Sequence, residues 1–424
     1  MPRVGARLTW ERASREMVGM TTEAPPPPAP RPAARALTIL LSLLMALVIA
    51  EVALRLVVPA RTNHYVWPPG AYHTFKPRAD IMPDYTPETK FSINSVGLRG
   101  AELGRDDEEL RVLALGGSTT ECLYHDDNKA WVRRIGAVLS GGGGERRVWS
   151  GGAGRSGANT GDHVLHAKYL LKELPRMDVV LVLAGVNDVN VALAMPDTYL
   201  PTPATLEPEQ HEKAVRKAFM QVPGPLEDSW DYDSSFLRRS QLYQLVKRIK
   251  RQRSRDLAAH NLVDDDTGKG MVRWREHRAK ASRIRTDLPD LTKGLATFRA
   301  NLNTIADLVS AAGPRLVLLT QPTLWRADLG EEEQKLLWMG GVGDYMQEPG
   351  HEYYSVAALA EAMRQFNEVT LSVCRERGLG CVDLAKEIPK DSKIFYDDCH
   401  FGHTGSEKIA QAVAAFLKNE PPFK

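Results

Sequence analysis

Ser118 lies in the stretch LRVLALGGSTT (Leu110–Thr120), where a hydroxyl follows a short apolar run and two glycines. A serine hydroxyl becomes a nucleophile only beside a base. His400, in FYDDCHFGHTG (Phe395–Gly405), is such a base with a pKa near neutrality. Asp397, three residues earlier, can hold the imidazole tautomer and stabilise its charge. The backbone N–H groups of Ser118 and Gly157, with the side-chain amide of Asn187 in GVND (Gly185–Asp188), are donors able to converge on one oxyanion. Gly157 suits that task because a residue without a side chain lets substrate reach the backbone. A nucleophile, a base, an orienting acid and oxyanion donors are together the parts of acyl chemistry. Each part also has a plainer use: Ser118 as a helix N-cap, Asn187 and Asp188 as turn residues, His400 as a structural histidine. His403, Gly154 and Asp398 compete with His400, Gly157 and Asp397 for the same roles.

The elements around these stretches must bring them together. Leu110–Leu115 reads as a buried parallel strand. A helix follows from near Asn128, with Trp131, Ile135 and Val138 on one face, and then a glycine loop at Ser140–Gly144. Arg147–Ser150 is a second short strand, running into GGAGRSGANT, and the next helix carries Val164, Leu165, Tyr169 and Leu170. Asp178–Ala184 (DVVLVLA) is a third strand, Leu316–Thr320 a fourth and Cys381–Leu384 a fifth, with helices at 296–312, 354–377 and 404–417. Strands alternating with helices predict a parallel sheet covered on both faces. In such sheets ligands bind outside the carboxyl ends of the strands, where Ser118, Asn187 and the Thr320–Pro322 turn fall.

The N-terminal part has a different character. Residues 1–35 are basic and proline-rich, with Pro25–Pro28, Pro30 and Pro32, which predicts a disordered tail. Residues 36–58 form an apolar run broken only by Glu51 and Arg55, spaced to pair on a helix. Its length matches the ~30 Å hydrocarbon core of a bilayer. Arginines on its N-terminal side predict a single-pass signal anchor, with the N-terminus cytoplasmic and the rest on the periplasmic or extracellular side. A cleaved signal peptide ending near Val48-Ile49-Ala50 is the competing reading. Residues 59–107, rich in proline and aromatics, read as an irregular lead-in lying along the domain. A short strand and glycine turn fall within it at Phe91–Gly100. About 195–291 interrupts the strand–helix rhythm and reads as an insertion. Within it Arg238–Arg255 is strongly basic, with Leu242, Leu245, Val246 and Ile249 at helical spacing. Such a helix packs on the domain or offers a surface to anionic head groups.

With 55 Lys and Arg against 53 Asp and Glu, the net charge of +2 argues against a general nucleic-acid binder. No metal or other cofactor is implied, because no ligand-spaced cluster remains beyond the acids and histidines already assigned. Cys374 and Cys381 pair in an oxidising compartment or stay as buried thiols elsewhere.

GGSTT (Gly116–Thr120), GRSG (Gly154–Gly157), GVND and DDCH (Asp397–His400), in this order, resemble the four blocks of the SGNH (GDSL-type) hydrolase superfamily, in its membrane-anchored bacterial type. The resemblance spans roughly Arg111–Leu417 with the insertion outside it, and includes Gly405, five residues after the histidine. It implies a flavodoxin-like three-layer α/β/α domain, here 108–420, with a five-stranded parallel sheet in the order 2-1-3-4-5. It also implies Ser118 as nucleophile, His400 as base, Asp397 as its partner, and Ser118, Gly157 and Asn187 as the oxyanion hole. The activity implied is carboxylic ester hydrolysis through a Ser118 acyl-enzyme, on small-molecule, envelope glycan or lipid-linked esters. Transfer of the acyl group to an exported polysaccharide uses the same residues, and a silent polysaccharide-binding protein would need none of them. Two positions depart from the family. Gly117 stands where aspartate usually precedes the serine, and Gly152 where asparagine is common.

Overall fold

Eight consecutive buried residues, Glu109–Gly116, make the first strand of the main sheet, its branched apolar side chains packed on both faces. The computed structural model describes residues 32–57, 64–104, 109–141, 147–195, 202–220, 240, 242–243, 245, 263–264 and 268–424. The chain divides into two units, Met1–Pro59 with Arg239–Gln244, and Ala60–Arg238 with Leu245–Lys424.

In the first unit, α1 runs from Pro32 to Val57, and its Arg35–Leu54 section is apolar and unburied. The 26 residues, at ~1.5 Å each, are long enough to cross a bilayer. The Glu51 carboxylate accepts hydrogen bonds from the Ser240 hydroxyl at 2.8 Å and the Leu242 amide at 3.0 Å. The Arg55 side chain, expected to pair with Glu51, lies outside the described residues, as does the tail through residue 31.

The second unit begins with β1 (Tyr72–Phe75) and β2 (Thr89–Ser92), an antiparallel pair, with the two-residue β6 (Val263–Asp264) running parallel beside β1. The lead-in is therefore less irregular than its composition suggests. It is also bonded into the main sheet, since Arg99 and Gly152 exchange backbone hydrogen bonds at 2.9 Å. This pairing occupies the Gly152 backbone, and a Cβ there would meet Val132 at 3.1 Å. The order then runs β3 (Glu109–Gly116), α2 (Ser118–Glu121), α3 (Trp131–Ser140), β4 (Arg147–Gly154), α4 (Thr160–Glu173), β5 (Val179–Leu183) and α5 (Val186–Ala194). After it come α6 (Pro208–Met220), β6, α7 (Lys269–Ala279), β7 (Arg283–Arg285), α8 (Thr292–Ala312) and β8 (Arg315–Leu319). The chain closes with α9 (Glu331–Gln334), β9 (Glu352–Tyr354), α10 (Val356–Arg377), β10 (Gly380–Val382), α11 (Leu384–Glu387) and α12 (His403–Lys418).

The main sheet has five parallel strands in the order β4-β3-β5-β8-β10, which is 2-1-3-4-5 counted along the chain. α3 packs with α12, and α8 packs with α4 and α10, giving the three layers. β4 runs four residues past the expected Arg147–Ser150, because Gly151–Gly154 pair in register with Leu113–Gly116 of β3, and α3 crowds the strand so closely that a Cβ on Gly136 would meet the Val148 carbonyl at 2.7 Å. Glycines in β4 serve the same crowding, as a Cβ on Gly151 would meet the Arg99 carbonyl at 2.7 Å. Cys374 and Cys381 form a disulfide that ties α10 to β10. Apart from Ser240, Leu242, Tyr243 and Leu245, the basic stretch 238–255 lies outside the described residues.

Candidate active site

Sheet register brings three loops to one place. Gly116 at the end of β3 pairs with Gly154 on one side and Leu183 on the other. Ser118, Gly157 and Asn187 lie two, three and four residues beyond those aligned ends. This is the point where the strand order reverses around β3, the usual crevice of an open α/β sheet.

Ser118 is the first residue of α2, and Gly117 takes the N-cap position, so the serine is free of the capping duty. Its Oγ lies 2.7 Å from His400 Nε2, and His400 Nδ1 lies 2.7 Å from Asp397 Oδ2. Asp397 Oδ1 accepts the amides of His400 at 2.8 Å and Cys399 at 3.0 Å, and Oδ2 also accepts the Trp338 indole N–H at 3.0 Å. The Asp397 carboxylate is fully buried, whereas the imidazole keeps 19% of its surface exposed. Burial by itself disfavours both charges. The Asp397 charge and hydrogen bond, with the neighbouring Cys399, outweigh burial and hold His400 well above 6.5. The His400 charge and the three kinds of donor likewise outweigh burial at Asp397 and hold it below the usual carboxylate range.

The competing residues are placed elsewhere. Asp398 accepts from the Trp325 indole at 2.8 Å and from the amides of Trp338 at 2.8 Å and Met339 at 3.1 Å, so it anchors a loop. His403 begins α12, with its ring tilted against Tyr85 at 4.6 Å and its pKa lowered by burial. Gly154 is packed, since a Cβ there would meet the Glu121 amide at 2.1 Å. Gly157 opens onto empty space with φ +76°, a conformation few residues other than glycine adopt. Among the described residues the amides of Ser118 and Gly157 donate to no protein acceptor. The Asn187 amide uses one N–H on the Ala158 carbonyl at 2.8 Å and has a second to offer. A Cβ on Gly117 would lie 2.5 Å from that amide nitrogen, so the family's aspartate does not fit beside Asn187 in this arrangement. Asp188 accepts the Thr160 amide at 3.1 Å together with its hydroxyl, locking the third loop to the start of α4. Gln321, expected to face the site, accepts from the Thr119 hydroxyl at 3.4 Å, while its backbone amide donates to Asn367 Oδ1 at 2.8 Å and its side-chain amide to the Pro322 carbonyl at 3.0 Å.

Several supporting residues were not legible from spacing. The Arg99 guanidinium, 2% exposed, donates to the carbonyls of Glu121, Cys122 and His125 and so caps α2, which ends at Cys122 in the left-handed region. Glu121 accepts from the Trp67 indole at 3.1 Å and from the Ser156 hydroxyl, joining the lead-in to the loop before Gly157. A cavity of about 130 Å³ opens beside Ser118 and His400, walled by Leu123, Tyr124, Met271, Trp274, Trp338 and Tyr396. Met271 and Trp274 come from α7, so that helix forms part of the cavity wall. Ligand atoms of Asp397, Cys399 and His400 lie within 4.8 Å of one another. Burial pushes the Cys399 thiol up to about 11, so it keeps its proton, and the other two are bonded to each other, a poor donor set for an ion.

The family profile described as GDSL-like Lipase/Acylhydrolase matches residues 114–408. Among solved structures, a catalytic variant of an acetylxylan esterase from Geobacillus stearothermophilus aligns at 11% identity and TM-score 0.38, covering 75% of this chain and 96% of that one. A lipase/acylhydrolase from Enterococcus faecalis aligns at 15% identity and TM-score 0.35, covering 73% and 96%. No curated protein sequence matches the chain. The profile spans more than half of the sequence and includes every residue of the Ser118–His400–Asp397 arrangement, so the chain belongs to the GDSL-like lipase/acylhydrolase family of ester-bond hydrolases.

Proposed function

We propose that the protein is a serine esterase acting through a covalent acyl-enzyme at Ser118. The observation that carries this reading is the unbroken chain from Ser118 Oγ to His400 Nε2 and from His400 Nδ1 to Asp397, each link 2.7 Å long. Neutral His400 takes the serine proton as Oγ attacks the ester carbonyl, and Asp397 steadies the imidazolium that forms. The amides of Ser118 and Gly157 and the Asn187 side chain donate to the oxyanion. His400 then gives its proton to the departing alkoxide oxygen, and water, deprotonated by the same imidazole, hydrolyses the acyl-enzyme. The cavity of about 130 Å³ favours short acyl groups, being a little smaller than a ~150 Å³ cavity that admits benzene.

In the same reading 108–420 is the catalytic domain, with about 195–291 inserted, and α1 is an uncleaved anchor. The arginines before α1 favour a cytoplasmic N-terminus. The Cys374–Cys381 disulfide favours an oxidising compartment for the catalytic domain. Esters on envelope glycans or lipid-linked carriers are then the substrates within reach. The test is a p-nitrophenyl ester panel from acetate to octanoate on the wild type and Ser118→Ala, with fluorophosphonate labelling and a glycan acceptor in parallel. Short esters should turn over in the wild type alone, with Ser118 labelled. Turnover in Ser118→Ala would refute the mechanism, and acyl groups recovered on the glycan would make the enzyme a transferase.

A further inference from the structure

Asp397 Oδ2 serves two donors. One is His400 Nδ1 at 2.7 Å and the other is Trp338 Nε1 at 3.0 Å. Trp338 lies far from the family blocks in sequence, on the loop after α9, and α7 of the inserted segment holds that loop at several points. The Trp274 ring packs on the Trp338 ring with centroids 4.8 Å apart. Arg275 donates to the carbonyls of Leu336 at 3.1 Å and Tyr396 at 2.6 Å, and Arg278 donates to Met339 at 2.7 Å. Both sides of the Trp338 backbone are therefore tied to α7, and so is the residue before Asp397.

We propose that Trp338 is a positioning residue whose indole N–H sets the basicity of Asp397, and that the inserted helix α7 is the clamp that keeps it there. The proposal rests on the Ser118–His400–Asp397 reading above. A second donor at Oδ2 takes up part of the carboxylate's negative charge and fixes the oxygen on the imidazole axis. Without it the carboxylate holds the imidazolium more tightly, and His400 stays protonated to higher pH. The charged and titratable groups around the pair leave this account simple. On its own loop, Tyr396 is raised well above 10 by burial and Cys399 to about 11, so both stay neutral near neutrality. From the segment after α2, burial raises Cys122 to about 11 and lowers His125 well below 6.5. Tyr85 of the lead-in is raised well above 10 by burial. Asp398 is raised by burial and by the Asp397 charge, and faces Arg278 of α7. Its bond from the Trp338 backbone survives any change of that side chain.

The test is the pH dependence of kcat/KM for p-nitrophenyl acetate with the full chain in detergent, wild type against Trp338→Phe. Phenylalanine keeps a ring against Trp274 and removes the N–H. The acid limb should move up by about half to one pH unit, so activity falls several-fold near neutrality and recovers above the limb. A merely structural tryptophan would scale the whole profile down and leave the limb in place, which would overturn the proposal. Trp274→Leu, which loosens the clamp and spares the N–H, should move the limb in the same direction by less. It decides the matter if Trp338→Phe fails to fold, and an unmoved limb there would overturn the clamp. Turnover retained in Ser118→Ala would instead overturn the triad reading, and this proposal with it.

Discussion

Asp397→Asn tests the orienting acid with almost no change of shape. Every contact to the carboxylate comes from a donor: His400 Nδ1 and Trp338 Nε1 at Oδ2, and the amides of His400 and Cys399 at Oδ1. Whichever oxygen becomes NH2, it faces two N–H groups. Placed at Oδ1, it strands two backbone amides beside a fully buried side chain, at about 1–3 kcal/mol each. Placed at Oδ2, it asks the imidazole to present an unprotonated Nδ1, which puts the ring proton on Nε2. The second arrangement spares the backbone and is favoured, but Nε2 then cannot accept from Ser118 Oγ. The same substitution in a studied serine protease lowers kcat by about 10⁴, worth about 5 kcal/mol of barrier. A loss of about 10³–10⁴ in kcat near neutrality is expected here, with KM little changed. Losing the charge also removes what holds His400 up, so the residual activity should show an acid limb shifted to lower pH, opposite to Trp338→Phe. Steady-state kinetics on p-nitrophenyl acetate, with a thermal melt to establish folding, makes the measurement. A folded Asp397→Asn variant within about tenfold of wild type would refute the reasoning.

Three further outcomes follow from the same geometry. In the wild type the Asp397 charge outweighs burial at His400, so activity should fall as pH drops through a value above 6.5, and an acid limb at or below 6.5 would contradict the pairing. Linkage runs the other way, because a histidine with a raised folded pKa contributes stability that is full below its unfolded value, about 6.5, and is lost as pH rises through the folded one. Asn187→Ala should lower kcat by about 10²–10³ with KM nearly unchanged, and Asn187→Asp should lower it further by aiming negative charge at the oxyanion. Near-wild-type kcat in folded Asn187→Ala would remove that residue from the mechanism. Arg99→Ala strands the carbonyls of Glu121, Cys122 and His125 in the core, so thermal denaturation should show a loss of about 3 kcal/mol or more, and an unchanged Tm would refute its capping role.

Local chemistry determined much of this protein from sequence alone. Buried strands such as Val179–Leu183 announce themselves as unbroken branched apolar runs, because a parallel strand is covered on both faces. Alternation of strand and helix then leaves few topologies, and the order 2-1-3-4-5 agrees with the one the family blocks imply. Ser118, Asp397 and His400 could be nominated from their motifs, and the hydrogen bonds that link the three are what the tertiary structure adds. The extent of β4 was not legible, since its glycines read as a loop until α3 and Arg99 are packed against them.

Choices between near neighbours belonged to the tertiary structure. Asp397 and Asp398 are identical side chains one residue apart, and only the positions of His400, Trp325 and Trp338 separate the imidazole partner from the loop anchor. His400 and His403 part in the same way, one reaching Ser118 and the other packing on Tyr85. Arg99, Glu121, Trp274 and Trp338 carry no local signature, because the guanidinium that caps α2 and the indoles that donate to carboxylates act across 22 to 59 residues. Spacing along the chain reports what a residue can do. Which partner it does it with is decided by the sheet register and the layers that close over it.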